Sequence, residues 1–174
     1  MNCYQVFTLN AATLKFGRNE LLDDIKAFAY IEGDTMKSDD AHAKHQVYDV
    51  CEPGNVELVT RILDTTFTKC VELCYPYAKS EISKYTARDN GLKVVDEYVM
   101  KLNLPATFSE STVTLLESLI HDLMVARVME RWMGLTKPES EARWKEEAEK
   151  TEPEIKRALN SRTKCFTRRL HPFG

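Results

Sequence analysis

Glycine is scarce in this sequence, with six residues scattered among 174. That excludes the Gly-rich loops that cradle phosphates, and neither a P-loop pattern nor GxGxxG occurs. GxSxG, HExxH and the kinase motif set are missing too. No apolar run approaches the roughly 20 residues that a bilayer-spanning helix needs. The opening MNCYQVFTLN lacks a basic region followed by an apolar one, so no signal peptide is expected. Five cysteines, Cys3, Cys51, Cys70, Cys74 and Cys165, form no CxxC and no regular framework. An odd, scattered set is the pattern of reduced thiols, and a cytoplasmic location is expected.

What is present is the composition of a globular protein: 43% hydrophobic and 29% charged residues. A chain of this length buries roughly 70% of its unfolded surface when compact. The formal net charge is −3, unevenly spread. Residues 155–174 carry Lys156, Arg157, Arg162, Lys164, Arg168 and Arg169 and no acid, so the rest of the chain holds −9. An acidic body with a basic tail follows.

The longest apolar-periodic run is Thr112–Gly134, read as a central helix over 112–133. Leu115, Leu116, Leu119, Ile120 and Leu123 share one side, opposite Glu117, Ser118, His121 and Asp122. In the second half the stripe moves: Arg127, Glu130 and Arg131 continue the first apolar face, while Met124, Val125, Val128, Met129 and Trp132 cover the other. One helix is therefore expected to bury opposite faces at its two ends, against the C-terminal segment or a second subunit. Ser111, Thr112 and Thr114 are rival N-caps, and Gly134 is placed to end the helix.

Elsewhere, residues 3–9 read as a short strand. Leu92, Val95, Tyr98 and Leu102 fit a helix, but the alternation over 97–104, closed by Pro105, favours an edge strand free to pair with the first. Asn19 opens and Gly33 stops a first helix. Residues 34–53 fit a helix or a short strand, with helix preferred. Asn55 opens a long helix whose stripe includes Val59, Leu63, Cys70 and Cys74, interrupted at Pro76. Residues 78–85 fit a further helical turn or two, and Arg88–Gly91 is a turn signal. Thr136-Lys137-Pro138-Glu139 and Thr151-Glu152-Pro153-Glu154 are two capping boxes, predicting helical segments at 138–150 and 152–161. The fold expected is mainly α: a helical bundle around 112–133 with a small two-stranded β element. Residues 1–161 would form one helical domain and 162–174 a basic, extended tail.

Candidate chemistry is thin. His42, His45 and Asp49 share a helical face but lack a fourth metal ligand. Cys70 and Cys74 fall on an apolar stripe and read as core thiols. The pairs Asp23/Asp24 and Asp39/Asp40 point about 100° apart on a helix and suit solubility better than acid–base work. His121 beside Asp122 has no nucleophile near it. Arg127 and Glu130, on a buried face, must pair or meet a partner's polar groups. No catalytic residue, metal or cofactor is expected. The tail mixes Arg162, Lys164, Arg168 and Arg169 with Phe166, Leu170 and Phe173, a pattern for docking on an acidic protein neighbour or contacting phosphate.

The order LNLPATFSE, LIHDLMVARVMERWMGL, EARWKEEAEKTEPEIKRALNSR and FTRRLHPF, over residues 97–174, resembles small, mostly helical structural proteins of tailed-phage and prophage morphogenesis, of the head–tail connector or completion kind. The resemblance implies a ring-forming adaptor without catalysis, present in many copies, contacting itself and other virion proteins. On that reading Met124, Val128, Met129 and Trp132, with Arg162, Lys164, Phe166, Arg168, Arg169 and Phe173, are candidate partner-binding residues. No membrane partner is expected. Nucleic-acid binding or regulation through the tail is the alternative, disfavoured because phosphate would repel the acidic body.

Overall fold

The computed structural model describes residues 9–36, 41–78, 95–105 and 108–161. It is mainly α with a small β element, as the sequence pattern implies. The order is β1 (Leu9–Gly17), α1 (Arg18–Asp34), α2 (Ala41–Tyr48), a 3-10 turn (Asp49–Cys51), α3 (Val56–Leu73), α4 (Tyr75–Ala78), β2 (Glu97–Pro105), α5 (Glu110–Thr136) and α6 (Pro138–Asn160). No described helix is long and apolar enough to cross a membrane.

The two strands pair antiparallel, with Leu14 opposite Met100 and Phe16 opposite Tyr98. Side chains alternate in burial along β2, so Tyr98, Met100, Leu102 and Leu104 face the core with Leu14 and Phe16. The N-terminal strand expected at 3–9 meets β1 only at Leu9; residues 3–8 lie outside the described residues. Asn10 does not end it, because the pairing partner carries the strand on to Gly17.

Helix α1 begins at Arg18, not after Asn19. Gly17 stands in the cap position with extended backbone, and the Arg18 amide donates to the Asp96 carbonyl at 2.9 Å. Sheet and helix thus share a junction, which sets the start. Gly33 does not stop the helix either; it is buried within it, with the Tyr48 ring of α2 packed over its Cα. Its value is close approach, not a left-handed turn.

Helix α5 is the axis. Leu116, Ile120 and Leu123 are buried on the first face, and from Leu123 to Met133 only Arg127, Glu130 and Arg131 escape full burial. The switch of stripe is real, and the chain itself covers both faces. Helix α6 packs along α5, while α1, α2 and α3 pack on it elsewhere. Gly134 lies inside the helix, which runs to Thr136. Helix α6 is one continuous helix: Thr151, expected to cap a second segment, bonds back to the Glu147 carbonyl at 2.9 Å. Pro153 is tolerated because it lies on the solvent side, where water can reach the carbonyl left without a donor.

Candidate functional site

Three polar features are built around α5. The first is Glu32, buried near the C-terminal end of α1 with 4% of its surface exposed. Its carboxylate accepts from Lys137 Nζ and Ser140 Oγ, both at 2.7 Å, and from Trp144 Nε1 at 3.1 Å. Arg143 adds an ion pair at 3.3 Å. Lys137 Nζ also donates to the Glu32 carbonyl at 2.9 Å. Burial pushes this carboxyl up, but the bonds from Lys137 and Ser140 and the charges of Lys137 and Arg143 outweigh it and hold it below its ordinary value. With its lone pairs occupied, Glu32 clamps the end of α1 to the α5–α6 corner.

The second is a cleft of about 370 Å³ between α1, α5 and α6. His121 Nε2 lies 2.7 Å from Asp24 Oδ2, and Asp122 and Glu147 stand beside them. Desolvation raises the Asp122 carboxyl; His121 opposes this, while Asp24 and Glu147 reinforce it. Phe28 and Trp144, in edge contact at 5.2 Å between ring centroids, form the apolar wall. The lining holds no hydroxyl or thiol for His121 to activate. Its histidine instead ties α1 to α5.

The third is a groove of about 430 Å³ between α3 and α5. Arg127, on its floor, donates to Glu130 at 2.7 Å and to Glu152 of α6 at 2.6 Å. The half-buried Arg127 and Glu130 therefore pair within the chain, as their position on the helix required. Leu58, Ile62, Arg61, Lys69 and Arg131 also line it, with Thr65 and Thr66 between them.

Of the residues expected to meet a partner, Met124, Val128, Met129 and Trp132 are all buried in this chain. Trp132 Nε1 donates to the Val47 carbonyl of α2 at 2.9 Å. They are core residues, covered by the chain's own helices, and not the partner surface that the sequence pattern suggested. Arg162, Lys164, Phe166, Arg168, Arg169 and Phe173 lie outside the described residues.

Cys70 and Cys74 are fully buried, and desolvation first among the causes pushes both thiols up to about 12. His42 lies 3.5 Å from Gln46, and His45 packs edge-on against Tyr48. Among the described residues no group of three or more His, Cys, Asp or Glu side chains is placed to hold a metal ion.

Sequence reasoning missed Glu32 entirely. Its donors lie 105 to 112 residues away, and nothing in the local pattern of α1 separates it from a solvated glutamate. Comparison of the chain with protein-family models, with curated proteins and with solved structures found no match.

Proposed function

We propose that this chain is a non-enzymatic structural protein working in many copies, of the head–tail connector or completion kind found in tailed phages and prophages. The observation that carries the reading is where large apolar side chains remain outside an otherwise closed core. Tyr30 and Ile31 on α1, Leu58 on α3, and Leu115 and Leu135 on α5 are all exposed, Leu135 by 70%. Scattered single hydrophobes are ordinary on a protein surface. Here Leu58 stands beside Arg61, and Tyr30 and Ile31 beside Asp34, charges without an ion-pair partner among the described residues, which suits a subunit that meets neighbours on more than one side.

Among the described residues, three polar clusters hold helices together: Glu32 between α1 and the α5–α6 corner, His121 with Asp24, and Arg127 with Glu130 and Glu152. That distribution supports an adaptor whose role is shape and contact. Its neighbours would be copies of itself and other virion-type proteins.

The test is to ask whether the protein travels with particles. Peptide mass spectrometry of purified virions from an induced host should detect it in several copies per particle, with portal, terminase and tail genes beside its own. A protein that stays in the particle-free fraction, encoded among unrelated genes, would overturn the reading.

A further inference from the structure

The groove between α3 and α5 carries three exposed cations, Arg61, Lys69 and Arg131, none with an ion-pair partner among the described residues. Arg127 is neutralised by Glu130 and Glu152, so the uncompensated charge belongs to the outer three. Leu58, 40% exposed, and the half-buried Ile62 give the same groove an apolar strip. Cations beside exposed aliphatic carbon, on an otherwise acidic body, call for an acidic and partly apolar occupant.

The chain carries such a surface itself. Along α1, Asp23, Ala27, Tyr30, Ile31 and Asp34 are exposed and recur at helical spacing, so they form one outward stripe. Asp23 is loosely held by Lys26 at 3.9 Å, and Asp34 has no ion-pair partner among the described residues. The stripe is acidic at both ends and apolar between, matching the groove in charge and character.

The two surfaces lie on opposite sides of the molecule's axis. Asp122, Val125 and Ala126 of α5 line the cleft toward α1, whereas Arg127, Glu130 and Arg131 line the groove toward α3. At about 100° per residue the two sets point in roughly opposite directions. One chain therefore cannot fill its own groove with its own stripe.

We infer that the α3–α5 groove is the docking site for the α1 stripe of a second copy of this chain. Such a contact is heterologous: each copy offers a groove on one side and a stripe on the other. Repetition gives a ring if the rotation closes and a filament if it does not. The inference rests on the many-copies reading above and gives it a specific interface.

The test is sedimentation velocity on the intact chain, comparing wild type with R61E/R131E, D23K/D34K and the two pairs combined. Wild type should associate, more strongly at low salt because exposed charges are screened at high salt. Each pair alone should weaken the dissociation constant about tenfold or more, since like charges then face each other. The combined protein should recover association, with melting temperatures close to wild type throughout. A monomeric wild type, or a combined variant no better than either pair, would overturn the inference. So would unchanged association of R61E/R131E together with lost binding to a short DNA duplex, which would assign the groove to phosphate. Virion incorporation that survives R61E/R131E, with assembly intact, would sink this interface and leave the assembly reading standing.

Discussion

Replacing Glu32 is the sharpest probe of the fold. In Glu32→Ala the Lys137 ammonium, whose side chain is 12% exposed, loses its counter-charge where little water can replace it. Ser140 Oγ and Trp144 Nε1 lose their acceptor at the same time. Breaking a buried pair by removing one partner costs about 3–5 kcal/mol. For a chain of this size that is about 6–20 °C in melting temperature, at about 2–4 °C per kcal/mol. The pH dependence has a definite sign. The folded carboxyl lies below its ordinary value of 4.5, so its contribution is in place above that pH and is lost as pH falls through the lowered folded value. Urea denaturation of wild type and Glu32→Gln across pH should give a stability gap that is widest near neutrality and narrows in acid. A Glu32→Ala protein within about 0.5 kcal/mol of wild type, as for an ordinary surface substitution, would refute the reasoning. So would a wild-type-to-Gln gap that ignores pH.

Trp132→Ala should cost about 3–5 kcal/mol in urea denaturation, through the cavity and the orphaned Val47 carbonyl, with no change in association. Gly33→Ala would gain roughly 0.5–1 kcal/mol of helix preference. Its new methyl would meet the Tyr48 ring, with Cδ1 at 2.9 Å, so a net loss of about 1–3 kcal/mol is expected by calorimetry. Native-state alkylation followed by peptide mapping should leave Cys70 and Cys74 unmodified until denaturant is added, because they are buried and their thiols are pushed up to about 12.

The helical architecture was legible because its signals are local. The stripe of α3, with Val59, Leu63 and Cys70 all buried, and the alternation of β2 each sit within one element. The change of face along α5 was legible for the same reason. What covers the second face was not, because Met124 and Trp132 look the same whether a neighbouring helix or a second chain lies over them. Boundaries failed where distant groups set them: the Asp96 carbonyl at the start of α1, and the Tyr48 ring over Gly33. The capping box at Thr151 was outweighed by packing, since Ala148, Ile155 and Leu159 continue one buried stripe across Pro153. The candidate site was the least readable part. Glu32 and its donors, and the cations of the α3–α5 groove, come together only through the tertiary fold.

Whether copies of this chain join through unlike surfaces on opposite sides of α5 can be read from zero-length carbodiimide coupling. Equal parts of light and 15N-labelled protein would be mixed, coupled and mapped by mass spectrometry. Mixed-isotope peptides linking Lys69 to Asp23 or Asp34 are the expected result. Lys69 joined only within its own chain, or to carboxylates of a second copy away from α1, would contradict it.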